Sequence, residues 1–206
     1  MPSKDADRTM ALLEENLDVD PNNERDLRLW LHAVRRCSHP PSIDSVIERV
    51  AYWKANSGSL EATYYLYVLN ALKTLDGSVF AREDALRYID ESRQSARARR
   101  NRTRSFEWLG TATATLAKLV SHSNLGDWDE QKNFWTRTAG LARVNGRISK
   151  IEAPQAGLIE IPGGLNAFFV PAVGKFTELN VRIDCFLGFS YDGIRAWEVK
   201  PTANRD

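Results

Sequence analysis

The densest chemistry in the chain is cationic. Between residues 92 and 106 stand six arginines, Arg93, Arg97, Arg99, Arg100, Arg102 and Arg104, with no acid among them. On a helix Arg93, Arg97 and Arg100 share one face, while Arg99 and Arg102 lie on a neighbouring one. Guanidinium forks grip phosphate or carboxylate through paired hydrogen bonds, so the use of arginine throughout favours recognition. A row of this kind neutralises nucleic-acid phosphates and makes binding fall with salt. The plainer reading is a solvated helix end whose arginines answer acids on a neighbouring helix and the negative end of the helix dipole.

The second chemistry is aromatic. Phe168 and Phe169 are consecutive in an apolar segment, so in a strand they point to opposite faces: one enters a core and the other can stack on a base. Tyr191 precedes Asp192-Gly193, a pair suited to a two-residue type I′ turn, and is expected to be the exposed aromatic. Trp197 and Phe186 are expected to fill the interior. Phe168, Phe169, Tyr191 and the six arginines are therefore the candidate nucleic-acid-binding residues. No catalytic set is legible. His32, His39 and His122 are scattered without Cys, Asp or Glu at ligand spacing, so neither a metal nor another cofactor is expected. Ser121-His122-Ser123 invites a nucleophile and a base, but neighbours at a helix end point apart, and the triplet reads as a helix terminus. Glu107-Trp108 reads as a buried anchor with a capping carboxylate. Gly174-Lys175 runs into Phe176 where a phosphate loop requires Ser or Thr.

These residues need elements to hold them. Residues 7–17 are amphipathic. Asn23 can cap a helix that turns Leu27, Trp30, Leu31 and Val34 to one side, and Ser42 caps the next, with Val46 and Val50 inward. Residues 60–75 are apolar around most of the helix circumference, which demands burial on more than one side. Further helices are expected over 81–100 and 127–144. After Asn145 the texture changes: Gly and Pro punctuate five short apolar segments, around 148–151, 158–161, 167–170, 181–187 and 196–199. Five such strands are the count of a small Greek-key barrel of the OB type. The chain is thus expected to be α+β in two parts: a partly ordered N-terminal helix over 1–22, a helical array over 23–145, a barrel over 146–201 and a tail over 202–206. Paired helices with short breaks are what repeat solenoids use, although no clean period emerges.

The totals exclude little. A net charge of +1 commits the whole surface to neither acidic nor basic partners. Cys37 and Cys185 show no metal or redox spacing and read as reduced core thiols. No secretory segment or membrane span is visible, so a cytoplasmic protein without membrane partners is expected.

The barrel segment resembles a cold-shock-type OB domain in the order Gly146-Arg147-Ile148, Gly157-Leu158-Ile159, Phe168-Phe169-Val170-Pro171, Asn180-Val181 and Asp192-Gly193 before Ala196-Trp197-Glu198-Val199. It departs from that pattern at Leu158 and Glu160, where the nucleic-acid binders place aromatics. Across residues 23–201 the words Leu29-Trp30, Tyr52-Trp53-Lys54, Tyr64-Tyr65-Leu66-Tyr67, Leu75-Asp76-Gly77, Glu107-Trp108-Leu109-Gly110 and Phe186-Leu187-Gly188-Phe189-Ser190-Tyr191-Asp192-Gly193 resemble the C-terminal region of sterile-alpha-motif-containing antiviral proteins and their bacterial relatives. Those are nucleoside-triphosphatases of the STAND class. The resemblance implies a tetratricopeptide-like (TPR-like) α-helical array followed by a five-stranded antiparallel OB-fold barrel. It also implies a non-catalytic module that binds RNA or single-stranded nucleic acid in an antiviral or stress-sensing assembly, with a STAND-type nucleoside-triphosphatase or another protein as partner. The alternative is a protein-interaction scaffold capped by the barrel, which requires Tyr52, Tyr64 and Tyr67 to line an open groove beside an acidic barrel face.

Overall fold

A computed structural model describes residues 4–98, 107–109, 119–131, 134–138, 140–153, 156–169 and 178–202. Five helices come first: α1 (Lys4–Val19), α2 (Glu24–Val34), α3 (Ile43–Ala55), α4 (Leu60–Leu75) and α5 (Ala81–Ala98). Their starts follow the cap chemistry of the sequence. The side chains of Asn23, Ser42 and Ser59 accept from the backbone N–H groups of Asp26, Ser45 and Ala62, which satisfies donors that a helix start leaves open. Between α2 and α3, Trp30 and Trp53 meet edge to face at 4.8 Å. Their indole N–H groups donate to Glu14 and Asp18 of α1, so α1 is held by polar contacts as well as by Leu13 and Leu17.

Among the described residues nine strands follow: β1 (Glu107–Leu109), β2 (Leu119–Ser121), β3 (Trp128–Asp129), β4 (Phe134–Trp135), β5 (Val144–Ala153), β6 (Ala156–Ile161), β7 (Leu165–Phe169), β8 (Arg182–Ser190) and β9 (Gly193–Pro201). β5, β6 and β7 form a meander, β7 pairs with β9, β9 with β8, and β8 returns to β5, so five strands close into a barrel. The β7–β9 pairing, Phe168 with Arg195 and Phe169 with Ala196, is parallel. The barrel is therefore mixed, which corrects the antiparallel expectation: β8 intervenes in sequence between β7 and β9 and reverses the chain once more. β8 also pairs with β1 through Leu187, Gly188 and Phe189, and β2 extends that edge.

The region before the barrel corrects the sequence reading as well. Where a helix is expected over 127–144, β3 and β4 form a separate hairpin with Trp128 opposite Trp135. Two-residue strands are marginal by themselves. This pair is held edge to face at 4.9 Å and packs on Trp197 and on the Phe134–Phe186 stack, outside the barrel wall. The boundary expected at Asn145 falls inside β5.

Helices and barrel share one apolar core. α4 is buried along nearly its whole length, and Tyr64, Tyr65, Tyr67, Leu69 and Leu72 belong to the same cluster as Ile159, Leu187, Phe189 and Tyr191. Tyr64 and Tyr67 contact Tyr191 and Phe189 at 5.0 and 5.9 Å. The turn between β6 and β7 seats on the end of α4 through Gly163. Its φ is +81°, and a Cβ there would lie 2.5 Å from the Thr74 carbonyl oxygen. On the far side Arg143 holds a strained point. Glu198 takes a left-handed φ of 46°, and Arg143 donates to its carbonyl, to its carboxylate at 3.3 Å and to Asp184 at 2.6 Å.

Two stability predictions follow from this packing. Gly163→Ala combines a positive φ with a backbone clash and should destabilise the fold by about 2–4 kcal/mol in urea denaturation; a loss below about 0.5 kcal/mol would contradict the close seat on α4. His32 titrates abnormally: burial, then Arg35, Arg36 and Arg28, push its pKa down from 6.5 to about 4. The unfolded chain then binds more protons between pH 4 and 6.5, so stability is full above 6.5 and falls as pH drops through that window, by up to about 3 kcal/mol. The Asp7 and Asp18 carboxyls, held below 3.8 mainly by Ser38 and Trp53, lose their contribution only at lower pH. Urea denaturation at pH 7.5 and 5 should therefore show a smaller pH effect in His32→Asn than in the parent, and equal slopes would refute the assignment.

Candidate functional site

Alternation along β5, β6, β7 and β9 sorts the barrel into two faces. Ile148, Ile159, Ile161, Leu165, Ala167, Phe169 and Ala196 point inward and are buried. The outward residues form two rows across the strands. In one, Lys150 stands opposite Leu158, Leu158 opposite Phe168, and Phe168 beside Arg195. In the other, Arg147 stands opposite Glu160 and Glu160 opposite Asn166. The rows are two residues apart along β6 and β7, about 6.6 Å, and three apart on β5, where the strand bulges. Gly157 makes the bend of this wall possible, since a Cβ there would strike the Lys150 carbonyl where β5 bulges.

Phe168 is half-buried, and the Arg195 guanidinium lies over its ring at 4.9 Å. Arg195 also approaches Asp192 at 3.9 Å. Beside this pair lies an open recess of about 480 Å3 lined by Ser149, Lys150, Leu158, Glu160, Gly164 and Asn166, with Arg82 of α5 at its rim. Arg82 is placed by the hydrogen bond from its Nε to the Gly164 carbonyl at 3.2 Å, so the helices contribute a cation to a face otherwise built by the barrel. The Ser149 hydroxyl lies 3.2 Å from both the Leu158 carbonyl and the Asn166 Oδ1. Lys150 is paired with Glu152 at 2.8 Å, whereas Glu160 is exposed.

The candidate residues read from sequence fare unequally. Phe168 is the outward member of its pair, and Phe169 is in the core at 2% exposure. Tyr191, expected in solvent, is 4% exposed; α4 and α5 cover its turn, and its hydroxyl donates to the buried carboxylate of Glu61. Arg93 is spent on structure: it donates to the Asp192 carbonyl at 3.0 and 3.3 Å and to Asp90 at 3.0 Å. Arg97 is exposed in the last turn of α5. Arg99, Arg100, Arg102 and Arg104 lie outside the described residues. Trp197 is not inside the barrel but beneath the β3–β4 hairpin.

Sequence reasoning missed Arg195, Arg147, Lys150, Asn166 and Arg82. The strand alternation that places Phe168 outward also selects Asn166, and Arg195 precedes inward Ala196. Arg82 carries no such signal, because only the docking of α5 brings it here.

Elsewhere the chemistry is structural. Ser121 and His122 open a short 3-10 helix, His122–Asn124, directly after β2, and Ser121 and Ser123 bond to each other at 3.0 Å. Glu107 and Trp108 lie in β1. Burial pushes the Cys185 thiol up to about 12 and also raises that of Cys37, which keeps both protonated and poor nucleophiles. Among the described residues no group of His, Cys, Asp and Glu is arranged to hold a metal ion, and no helix is long and apolar enough to cross a membrane. Glu61, 1% exposed in the first turn of α4, accepts from Arg28 at 2.5 Å as well as from Tyr191. This carboxylate joins α2, α4 and the β8–β9 turn. Comparison of the chain with known protein families, with curated protein sequences and with solved structures gives no match.

The Glu61 junction yields its own test. Removing the carboxylate strands a buried hydroxyl and a guanidinium together, so Glu61→Ala should destabilise by about 2–4 kcal/mol and Tyr191→Phe by about 1–2 kcal/mol. In chemical denaturation the double variant should lose less than the sum of the two. Strict additivity would show that the groups do not act through each other.

Proposed function

We propose that this chain is a non-catalytic recognition module whose outer barrel face, built on β5, β6, β7 and β9, binds single-stranded nucleic acid, RNA foremost. One observation carries the reading: a half-buried phenylalanine, Phe168, lies beneath an arginine in a surface row edged by Leu158 and Lys150, with Arg147 and Arg82 close by. An aromatic platform among cations that can follow a phosphate backbone is how sequence-tolerant binding of single strands is achieved. The order of pairing round the barrel, first, second, third, fifth and fourth strand, with the fourth returning to the first, supports an OB reading of the closed sheet. The platform is single, since Leu158 and Glu160 occupy positions where the cold-shock pattern has aromatics, and its stacking contributes about 1–3 kcal/mol. Affinity for a short strand is accordingly modest.

The β8–β9 turn itself is covered by α4 and α5, and the site begins just beyond it at Arg195. Arg97 is exposed in the last turn of α5, one helical turn beyond Arg93. The resemblance to STAND-class antiviral proteins supports a place as the sensing tail of such an assembly, TPR-like helices presenting the barrel, with the nucleoside-triphosphatase as partner. A cytoplasmic setting suits two buried thiols without a disulfide. The scaffold alternative is weaker: Tyr64 and Tyr67 are buried, and only Tyr52, 53% exposed, borders the open groove of about 470 Å3 between the first three helices. The barrel face is not acidic either.

Fluorescence anisotropy of a labelled single-stranded RNA titrated with the full chain tests this. Binding should weaken as salt rises. Phe168→Ala should weaken it about 5- to 100-fold at constant salt, and Arg147→Glu should weaken it while flattening the salt dependence. Salt-independent binding, or a Phe168→Ala variant with parental affinity, would overturn the proposal.

A further inference from the structure

We propose that the row Arg147, Glu160, Asn166 makes this face selective for guanine, with Glu160 as the specificity-determining residue; the inference rests on the nucleic-acid reading of the same face. The starting point is a conflict. Glu160 stands in the middle of a surface otherwise marked by Arg82, Arg147, Lys150 and Arg195. It is exposed, and although Arg147 is its cross-strand partner, no ion pair joins them. A carboxylate cannot stack, repels phosphate and only accepts hydrogen bonds. In a pure backbone-binding groove it is a liability.

A base edge with two adjacent donors turns the liability into a contact. Guanine alone among the standard bases presents two parallel N–H groups on its Watson–Crick edge, at N1 and N2, and these match the two oxygens of a carboxylate. The third group on that edge, the O6 carbonyl, needs a donor. Asn166 stands directly across from Glu160, and Ser149 lies 3.2 Å from its Oδ1. With the hydroxyl proton on that oxygen, the Asn166 amide nitrogen is the atom left to donate. Glu160 and Asn166 together thus complement N2, N1 and O6.

The platform is placed to deliver the base. Phe168 is two residues from Asn166 on β7, and Leu158 two from Glu160 on β6, so a base stacked on the Phe168–Leu158 pair turns its edge to the second row. Adenine puts its N1 lone pair against the carboxylate, and uracil offers a single donor. Arg147 and Arg82, at opposite borders, are left for the flanking phosphates.

Anisotropy with an oligouridine that carries one guanosine, inosine or adenosine separates these possibilities at a fixed salt concentration. The guanosine strand should bind about tenfold more tightly than plain oligouridine, and inosine, which lacks the N2 amino group, should lose most of that gain. Glu160→Gln should erase the preference and, by removing a charge that repels phosphate, tighten the binding of plain oligouridine, with circular dichroism confirming an unchanged fold. Equal binding of guanosine and inosine strands, or a preference that survives Glu160→Gln, overturns the guanine assignment and leaves nucleic-acid binding standing. Failure of every oligonucleotide to bind overturns both.

Discussion

The structure depends on a helix that cannot face water. α4 carries Tyr64, Tyr65, Leu66, Tyr67, Val68 and Leu69 in succession, and no single packing partner can cover side chains that radiate in every direction. α2, α3 and α5 take part of its circumference, and the β8–β9 end of the barrel takes the remainder. Burial of that apolar surface supplies the main attraction between helices and sheet. Directional contacts set the angle: the Tyr64 hydroxyl donates to the Phe189 carbonyl, and Glu61 receives Tyr191 and Arg28. These directional contacts favour one arrangement where greasy surface alone would allow several, and the second Glu61 oxygen is buried without a hydrogen-bond partner among the described residues.

This docking decides which surface of the barrel stays open. In small barrels of this shape the loops at one end commonly share in binding, yet here the β8–β9 turn is filled by Tyr191 and clamped by Ser92 and Arg93. The accessible surface is the side wall, and α5 closes its upper border with Arg82. Sequence, fold and chemistry meet at that border, because a helix needed to bury α4 also brings a guanidinium to the recess.

Much of the architecture was legible in the chain. The span of α4 and the caps at Asn23 and Ser42 follow from local rules, and the apolar segment expected around 181–187 falls on β8. The failures have a common cause. Trp128, Phe134, Trp135 and Leu141 lie at spacings that suit a helix face, but Trp128 and Trp135 are equally well placed to meet across a hairpin, and the Trp197–Phe186 surface favours the hairpin. Tyr191 looked exposed because turn residues usually are; it is buried by α4 and α5, with contacts to Glu61 and Ser92 that lie 130 and 99 positions earlier. The parallel β7–β9 seam has no local signature at all. That one of Phe168 and Phe169 faces inward and the other outward was legible because a strand has only two faces, whereas the approach of Arg195 and Arg82 became visible only with closure and docking.

The division of labour along β8 carries a consequence for how the molecule is made. Its first half pairs with β5, its second half with β1, and β9 follows along its length. Until this ribbon arrives, β5, β6 and β7 are an open meander with bare edges, and the tyrosine-lined side of α4 has nothing to rest on. Ring closure by distant segments is slow, because loop entropy is spent before contacts reward it. The nascent chain therefore passes through an interval in which a sticky helix and a raw sheet margin are both on offer, the circumstance in which chaperones act and chains of the same kind exchange strands.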